Sequence, residues 1–448
     1  YQTPLRGPRM QRREVGRLAV GAVLAATFGK LPGGVAAETS RIARCRSAFP
    51  ALDQQIGDHP LVYLDSAAST QRPIAVLDAL IDFYRRDNAN PGRALHTLAC
   101  RAYERYENAR STLAEFINAS SADEIAWVRG TTEGINLVAS AWGRSQLRRG
   151  DEILLTIAEH ASNLLPWRLA AQYTDAMVRF VDVDDEGRVS LDDLDRKLSE
   201  RTRIVAFSHV SNVVGYVNPA AEICRRAHAA GARVLVDAAQ SAPHLPLDVQ
   251  EIDCDFLAFS SHKMLGPMGI GVLWARRDVL EAMPPYQAGS NMAHEIDLGS
   301  ERMESAARKF GAGTPNVSGP VGFAAAVKYL SSLGREAIEN HEAALTAYGL
   351  ETLLTVPGLR VLGPSSAPGR LPVFSFVLND RAPQEILRRL DENGIAVRAG
   401  DLSALPLLKR LGVTSAARAS CYLYTRTEDI DRLVDVLRDT GRGRRTRA

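Results

Sequence analysis

Lys263 is the residue of this chain whose surroundings most clearly indicate chemistry. It follows the short apolar run 256–259 and precedes a loop, Gly266 to Gly271, that glycine and proline hold tight. A lysine amine at a buried strand end is costly to keep charged, and a desolvated amine is a ready Schiff-base nucleophile. The sequence therefore predicts that Lys263 reacts with an aldehyde.

An acidic residue, Asp237, closes another apolar run, Val234 to Val236, upstream of this lysine. We expect both side chains at the ends of buried strands. Pyridoxal phosphate (PLP) requires such a pair, with a lysine for its aldehyde and a carboxylate for its pyridinium nitrogen. The two residues together therefore favour PLP as the cofactor.

Further short motifs occur in order along most of the chain. They are Tyr63–Ser69, Arg129–Asn136, Glu159–His160, His209–Asn212, Asp237–Gln240, Ser260–Lys263, Gly311–Pro315 and Ala417–Ser420. In this order they resemble the class V aminotransferase family of PLP enzymes, fold type I, from about Leu61 to Asp435. Within that family, the chain most resembles the group II cysteine desulfurases.

The resemblance implies a role for each polar residue of these motifs. Lys263 would hold the cofactor and move protons, Asp237 would keep the ring nitrogen protonated, and His160 would stack on the ring. Arg418 would grip the substrate carboxylate, a contact that suits guanidinium, with Arg398 nearby. The other implied cofactor contacts are Thr131, Thr132, Ser260 and His262 at the phosphate, Asn212 and Gln240 near the phenolic oxygen, and Thr314 at the phosphate of a partner subunit in a homodimer.

Taken by themselves, several of these residues also fit ordinary structural roles. Thr131 and Thr132 would serve equally well as caps of the helix that they open, although N–H groups at a helix start also bind anions. Asn212 and Gln240 fit turn positions, and Arg398 fits an exposed surface. The residues alone leave these alternatives open.

The chain departs from the desulfurase pattern at the position of the family's nucleophilic cysteine. Ser403 holds that position, and Asp401 and Leu402 stand where the family typically has two histidines. A serine hydroxyl cannot take sulfur from the substrate as a thiolate does. We therefore expect cysteine desulfurase activity to be absent or marginal.

Short apolar strand patterns alternate with helical patterns along the chain. Strands are predicted at 125–128, 152–157, 178–181, 203–207, 233–236, 256–259 and 271–274. This alternation predicts an α/β fold with a mostly parallel seven-stranded sheet covered by helices. We expect a large PLP-binding domain at 61–322, a small α/β domain made of 44–60 and 323–438, and a basic disordered tail at 439–448.

The composition of the 448 residues, 46% hydrophobic and 24% charged, is typical of a globular protein. The five cysteines show no CxxC and no paired spacing, which argues against a zinc site or a disulfide scaffold. We predict no metal site. Terminal arginines without interleaved aromatic residues give no indication of nucleic-acid binding.

Residues 10–37 have the pattern of an export signal. Arg12 and Arg13 precede the mildly apolar run Leu18 to Phe28, and Val35 to Ala37 supply small residues for cleavage. The run is too short to span a bilayer, and the paired arginines resemble a twin-arginine signal. We expect a periplasmic or secreted protein without stable membrane insertion. A leader without an export role, in a cytoplasmic protein, is the alternative.

These features predict an exported, homodimeric PLP enzyme that acts on the amino group of a free or peptide-borne amino acid. In lacking the loop cysteine it resembles exported PLP enzymes that tailor siderophores. Transamination, oxidative deamination, racemisation and elimination share one carbanion, so these residues do not select among them. A cysteine desulfurase or C–S lyase is one alternative, and a non-catalytic PLP-fold binding partner is another.

Overall fold

The computed structural model describes residues 42, 44–92, 95–379 and 381–442. The predicted export signal, residues 10–37, lies outside this part of the chain. Among the helices within it, none is both long enough and apolar enough to span a bilayer.

The strands and α-helices follow one another with short connections. The strands are β1 (Gln55–Ile56), β2 (His59–Pro60), β3 (Val62–Tyr63), β4 (Ile125–Val128), β5 (Glu152–Thr156), β6 (Met177–Val181), β7 (Thr202–Ser208), β8 (Arg233–Asp237), β9 (Phe256–Ser260), β10 (Gly271–Ala275), β11 (Ala293–Ile296), β12 (Glu301–Met303), β13 (Leu359–Val361), β14 (Val373–Leu378), β15 (Ile395–Ala396), β16 (Arg398–Gly400) and β17 (Ala416–Ser420). The α-helices are α1 (Ile74–Arg86), α2 (Thr97–Phe116), α3 (Thr131–Leu137), α4 (Arg144–Gln146), α5 (Leu165–Thr174), α6 (Leu191–Lys197), α7 (Ala220–Ala229), α8 (Val249–Ile252), α9 (Arg277–Ala282), α10 (Ser318–Leu333), α11 (Arg335–Leu353), α12 (Pro383–Asp391), α13 (Leu405–Arg410) and α14 (Thr427–Arg442).

A seven-stranded sheet, in the order β4-β10-β9-β8-β7-β5-β6, forms the centre of the molecule. Strands β5 to β9 pair in parallel, and β10 runs antiparallel to both β9 and β4. The central strands are buried along their length, because a mostly parallel sheet is covered on both faces. The predicted α/β fold with a mostly parallel seven-stranded sheet is confirmed, and each strand lies within one residue of its predicted bounds.

A second sheet of four antiparallel strands, in the order β13-β14-β17-β16, lies in the C-terminal part of the chain. Helices α11, α12 and α14 pack on it through leucine and isoleucine side chains. The sequence patterns do not predict its edge strand β13. The early strand β3 pairs in parallel with β15, which ties the start of the described chain to this region.

The last helix, α14, continues to Arg442. Residues 439–442 are therefore helical, which corrects the prediction that a disordered tail begins at residue 439. The buried side chain of Leu437 anchors this end of the helix, and the Thr440 carbonyl accepts a hydrogen bond from Arg381 Nη2 at 2.7 Å. Residues 443–448 lie outside the described chain.

The parallel strands place the residues that follow them at one edge of the large sheet. In open α/β sheets, ligands bind beyond the carboxyl ends of the strands. Here the small sheet reaches the same edge, since Arg418 Nη1 on β17 donates to the carbonyl of Asn212, shortly after β7, at 3.0 Å. The fold therefore forms a cleft between the two sheets.

Candidate functional site

A cavity of about 400 Å³ lies in this cleft. It brings together nearly all of the site residues predicted from the sequence. Those that line it are Thr131, Thr132, His160, Asn212, Asp237, Gln240, Ser260, His262, Lys263, Arg398 and Arg418. Thr314 does not line it, and its hydroxyl accepts a hydrogen bond from Asn90 Nδ2 at 3.3 Å elsewhere on the chain.

Lys263 ends a short 3₁₀ turn that begins directly after β9. The pKa of its amine is lowered to about 8, mainly by burial and to a smaller extent by the nearby guanidinium groups of Arg418 and Arg398. The carboxylate of Asp237 acts in the opposite direction and raises this pKa. A substantial fraction of the amine is therefore neutral near pH 8, which nucleophilic attack on an aldehyde requires.

Asp237 is the last residue of β8, as the apolar run before it predicts. Its side chain is buried, and Oδ1 accepts a hydrogen bond from the Ala239 N–H at 2.9 Å. Burial raises the pKa of this carboxyl group, while the Ala239 N–H and Lys263 lower it. A cationic partner is the natural complement of such a buried carboxylate.

His160 follows β5 and caps the short turn 161–163. Its Nδ1 accepts a hydrogen bond from the Ser162 N–H at 3.1 Å. Burial is the main reason that the pKa of this imidazole falls to about 4, and the positive charges of Lys263 and Arg418 add to the effect. The ring is therefore neutral at ordinary pH, with its proton on Nε2.

Two arginines from the small sheet face the cavity and share one carboxylate. Arg418 on β17 is buried, donates from Nη1 to the Asn212 carbonyl at 3.0 Å, and approaches Asp65 Oδ1 with Nη2 at 3.4 Å. Arg398 on β16 is half-exposed and holds both Asp65 oxygens, at 3.2 and 2.8 Å. Arg418 Nε is buried and has no hydrogen-bond partner among the described residues.

Asp65 is a site residue that the sequence analysis did not single out, although it lies in one of the quoted motifs. The feature that could have identified it is an acidic residue shortly after β3, in the segment Tyr63–Ser69. Its partners are more than 300 residues away in the sequence. Only the folded structure, in which the small sheet brings both arginines to Asp65, identifies this ion pair.

A group of hydroxyls lies where α3 begins, as the sequence predicts. The Thr131 N–H donates to Ser260 Oγ at 2.8 Å, and the two hydroxyls lie 2.7 Å apart. Thr132 donates to Ser162 Oγ at 2.9 Å. A side chain at Gly271 would meet Gly130 Cα at 2.7 Å, so glycine is required for β10 to pass behind this turn. The cluster combines hydroxyls with a helix N-terminus, an arrangement suited to a phosphate.

Asn212 and Gln240 lie on the cavity wall with part of their hydrogen-bonding capacity used by the protein. Asn212 Nδ2 donates to the Leu402 carbonyl at 2.9 Å. Gln240 Nε2 donates to the Ala67 carbonyl at 2.7 Å, and its Oε1 is buried without a partner. The predicted contacts of these two residues with a cofactor remain predictions.

The loop that carries Ser403 closes one side of the cavity. Leu402 and Ser403 both have positive φ, 51° and 55°, a conformation that costs most residues about 1–2 kcal/mol each. Hydrogen bonds from two neighbouring segments hold the loop: Ala161 N–H donates to the Ser403 carbonyl at 2.7 Å, and Asn212 Nδ2 donates to the Leu402 carbonyl. Within the loop, Ser403 N–H donates to Asp401 Oδ1 at 3.0 Å and Ala404 N–H donates to the Asp401 carbonyl at 2.9 Å. Ser403 and Asp401 are exposed toward the cavity, whereas the Leu402 side chain is buried in the core.

None of the five cysteines, all of which belong to the described chain, lines the cavity. Cys100 is exposed, and the others are buried. Burial raises the pKa of Cys421 far above its usual value, so its thiol stays protonated. A reactive thiolate is therefore not part of this site.

These residues fit PLP, the cofactor that the sequence predicts. Outside its charge interactions, Lys263 makes no side-chain hydrogen bond within the described chain, and Arg418 Nε and Gln240 Oε1 are buried without partners. An amine, a buried carboxylate and a hydroxyl cluster at a helix start are the groups needed for an aldehyde, a pyridinium nitrogen and a phosphate. Lys263, Asp237 and the Thr131–Ser260 cluster would hold these three parts.

Comparison with known proteins places this cavity in a wider context. The family model described as aminotransferase class-V matches residues 62–433. A probable cysteine desulfurase of Halalkalibacterium halodurans is 47% identical over 395 residues, which cover 88% of this chain and 97% of the relative. Residues 62–433, which the family model matches, include every residue that lines the cavity.

Solved structures show the same similarity in three dimensions. The cysteine desulfurase CsdA of Escherichia coli, in an S-sulfonic acid form, is similar with a TM-score of 0.81 at 39% identity, over 89% of this chain and 98% of that one. A complex of the cystine C–S lyase C-DES with its product cysteine persulfide has a TM-score of 0.75 at 25% identity, over 86% and 99%.

Proposed function

Because this chain belongs to the class V aminotransferase family of PLP-dependent enzymes, we propose that it is a C–S lyase. It would eliminate sulfur from a cysteine-like amino acid without carrying that sulfur on a cysteine of its own. The observation that supports this proposal is the composition of the cavity. Lys263, Asp237 and Arg418 face a loop in which Ser403 takes the nucleophile position, and no cysteine of the described chain lines the cavity.

The relatives support the substrate class. Proteins named cysteine desulfurases are similar to this chain over most of its length, and a structural neighbour is named a cystine C–S lyase. We therefore extend cysteine or a related sulfur amino acid to this chain as the proposed substrate. The sequence analysis predicts PLP chemistry on an amino group in general. Among its alternatives, the relatives favour the desulfurase or C–S lyase.

Each residue of the cavity would have one task in this reaction. Bound PLP withdraws electrons from the α-carbon of an amino acid. Arg418, buried and with Nε free, orients the substrate carboxylate. Asp237 would keep the ring nitrogen protonated, and the lowered pKa of Lys263 would allow its Nζ to take the α-proton near pH 8.

The fate of sulfur separates elimination from desulfuration. In elimination the Cα–H and Cβ–S bonds break, the proton passes to Lys263 Nζ, and the electron pair of the Cβ–S bond leaves with sulfide. Hydrolysis then yields pyruvate and ammonia. Desulfuration instead requires a thiolate to attack the sulfur and produces alanine, and the hydroxyl of Ser403 cannot perform that attack.

The products test this proposal directly. With cysteine we expect pyruvate, ammonia and sulfide, and with cystine we expect pyruvate, ammonia and free cysteine persulfide. Neither substrate should leave a protein-bound persulfide after alkylation and mass measurement. Ser403→Cys should gain alanine production and a trappable persulfide, because it restores a thiol to the loop, while Ser403→Ala should gain neither. Robust alanine production by the unaltered protein, with sulfur on Cys100 or Cys421, would contradict the proposal.

The role of Lys263 has its own test. Borohydride reduction of the PLP-loaded protein should fix the cofactor on Lys263, and Lys263→Ala should lose this linkage. Lys309→Ala is the matched control, because Lys309 is also buried but donates to the Glu281 carbonyl away from the cavity. An intact linkage in Lys263→Ala protein would show that another lysine holds the cofactor.

A second candidate is PLP chemistry on the amino group of a larger, peptide-borne amino acid. The exposed side chains of Asp401 and Ser403 at the cavity favour it, because they leave a polar and open side for an extended substrate. Absorbance changes of bound PLP with a panel of amino acids and peptides would distinguish the two candidates. A protein that binds PLP but responds to no amine would instead support a non-catalytic role.

A further inference from the structure

Glu159 is a buried carboxylate directly behind the cavity that the proposed reaction does not use. It follows β5 and precedes His160, and its side chain receives three hydrogen bonds. Thr156 donates to Oε1 at 2.5 Å, and Asn163 and Ser208 donate to Oε2 at 2.7 and 2.8 Å. Three donors around one buried carboxylate indicate that the fold specifically accommodates this group.

The direction of one of these bonds is set by a fourth residue. Trp167 Nε1 donates to Asn163 Oδ1 at 3.0 Å, so the amide of Asn163 must present its Nδ2 to Glu159. The hydroxyl of Ser208 has no such constraint. It is also the one donor of the three that lines the cavity. Ser208 therefore connects Glu159 to the site.

Ser208 is also the neighbour of Asp237 in the sheet. The two residues are register partners at the ends of β7 and β8, and Ser208 lies one residue before the His209 N–H that donates to the Asp237 carbonyl. The two carboxylates interact, because the charge of Asp237 contributes to a raised pKa of Glu159. Burial is the larger cause and, against the three donors, raises that pKa to about 7.

The charged and titratable groups around Glu159 are few. Asp237 faces it from β8, and Lys263 lies beyond Asp237. His160 follows it in the chain and His209 adjoins Ser208, and burial lowers the pKa of both imidazoles to about 4, so both are neutral. A change in the charge of Glu159 is therefore felt mainly by Asp237 and by what Asp237 contacts.

We propose that Glu159 is a positioning residue of this site that supports the positive charge of the bound cofactor through Ser208 and Asp237. It touches neither substrate nor cofactor. Its three hydrogen bonds also fix the turn that presents His160 to the cavity, so one residue would set both the geometry and the electrostatic field on that side. This inference rests on the proposed use of the cavity for PLP.

The test is the pH titration of the absorbance of bound PLP. A negative charge nearby favours the protonated form of the linkage between Lys263 and PLP. Glu159→Gln keeps the shape but removes the charge, so the midpoint should move to lower pH, by about 0.5–1 unit for a charge that acts through a protein interior without direct contact. The circular dichroism of the PLP band should also change if the His160 turn shifts.

Glu152→Gln is the matched control. Glu152 is a buried glutamate at the start of β5, the strand that precedes Glu159, and it is held by Arg179, Arg201 and Ser199 away from the cavity. Its substitution should lower stability and leave the titration midpoint unchanged. An unchanged midpoint in Glu159→Gln protein, or an equal shift in both variants, would overturn the proposal.

Ser208→Ala is a second test variant, and it removes only one hydroxyl group. Loss of this donor should raise the pKa of Glu159 and so lower its charge, moving the midpoint in the same direction as Glu159→Gln by a smaller amount. The double variant should match Glu159→Gln. Larger, additive shifts would mean that the two residues act separately. Failure of the parent protein to form the Lys263 linkage would refute the proposed use of the cavity instead.

Discussion

The side chains of the cavity form a set whose charges are balanced against burial. Lys263 loses proton affinity because it is desolvated, and Asp237 gains it for the same reason. Arg418 remains charged although burial lowers its pKa to about 10. The site therefore offers a partly neutral amine beside a fixed guanidinium, which is what binding a carboxylate and attacking an aldehyde require together.

The pKa of Lys263 predicts how the protein without cofactor takes up PLP. Because the neutral amine is the reactive form, the initial rate of uptake should rise roughly tenfold between pH 7 and 9 and then level off, whereas an ordinary lysine would continue to gain up to pH 10.5. Timed borohydride trapping measures this rate. Since Asp237 raises the pKa of Lys263, Asp237→Asn should move the midpoint to lower pH. A rate that keeps rising above pH 10 would contradict the lowered pKa.

The same shift carries a stability consequence with a definite sign. The folded pKa of about 8 lies below that of an unfolded lysine, so the unfolded chain binds more protons between pH 8 and 10.5. The contribution of Lys263 to the stability of the protein without cofactor therefore rises with pH in that window and is unfavourable below pH 8.

At the scale of elements, the loop between β16 and α13 is held by contacts from two strand ends of the large sheet. The N–H of Ala161, the first residue of the turn after His160, donates to the Ser403 carbonyl. Nδ2 of Asn212, which lies shortly after β7, donates to the Leu402 carbonyl. These contacts offset the unfavourable φ values of Leu402 and Ser403. The loop is thus a rigid wall of the cavity in this structure.

Asn212→Ala should loosen this wall. It leaves the Leu402 carbonyl without its donor, so we expect a loss of about 1–3 kcal/mol in the free energy of unfolding. Hydrogen exchange should become faster in residues 400–404. Asn136→Ala is the control, because the half-buried Asn136 donates only within its own helix, to the Thr132 carbonyl, and its loss should change stability by less than about 0.5 kcal/mol. Unchanged exchange in the loop would show that Ala161 alone holds it.

At the scale of the molecule, the cavity is a joint product of the two sheets. The large sheet supplies the amine, the acid and the hydroxyls, and the small sheet supplies both arginines and the Ser403 loop. A hydrogen bond from Arg418 on β17 to the carbonyl of Asn212, shortly after β7, joins the two. Thr314 remains outside this arrangement, which is why its predicted role requires a second chain.

A mixing experiment tests the predicted homodimer with shared sites. Lys263→Ala and Thr314→Ala subunits should each be impaired alone, the second through weaker PLP binding. In a shared-site dimer, a mixed pair contains one site with both residues intact, so part of the activity should return. No recovery in heterodimers demonstrated by mass measurement would indicate that Thr314 acts within its own chain or not at all.

Export is a separate prediction at this scale, and it depends on residues outside the described chain. Fractionation should find a shortened protein outside the cytoplasm, and Arg12→Lys combined with Arg13→Lys should retain it inside, because twin-arginine signals depend on that pair. The same protein with substitutions Arg442→Lys and Arg444→Lys serves as a control for replacing two arginines by lysines elsewhere in the chain. Full-length protein confined to the cytosol would refute the prediction.

The sequence by itself determined the family, the α/β fold and the positions of Lys263 and Asp237. Buried parallel strands are written as continuous apolar runs, so the polar residue that ends each run could be assigned to the ligand edge without further information. The predicted family and PLP dependence are confirmed by the similarity over residues 62–433.

The tertiary structure alone decided how these residues are supported. Asp65 accepts hydrogen bonds from two arginines more than 300 residues away. Glu159, after β5, accepts a hydrogen bond from Ser208 on the neighbouring strand β7, and Asn212 donates to a loop 190 residues further on. Hydrogen bonds of this kind leave no periodic trace in the sequence, because either partner alone is an ordinary polar residue. They become specific when the packing of the two sheets removes water from around them and leaves each group only its partners in the protein.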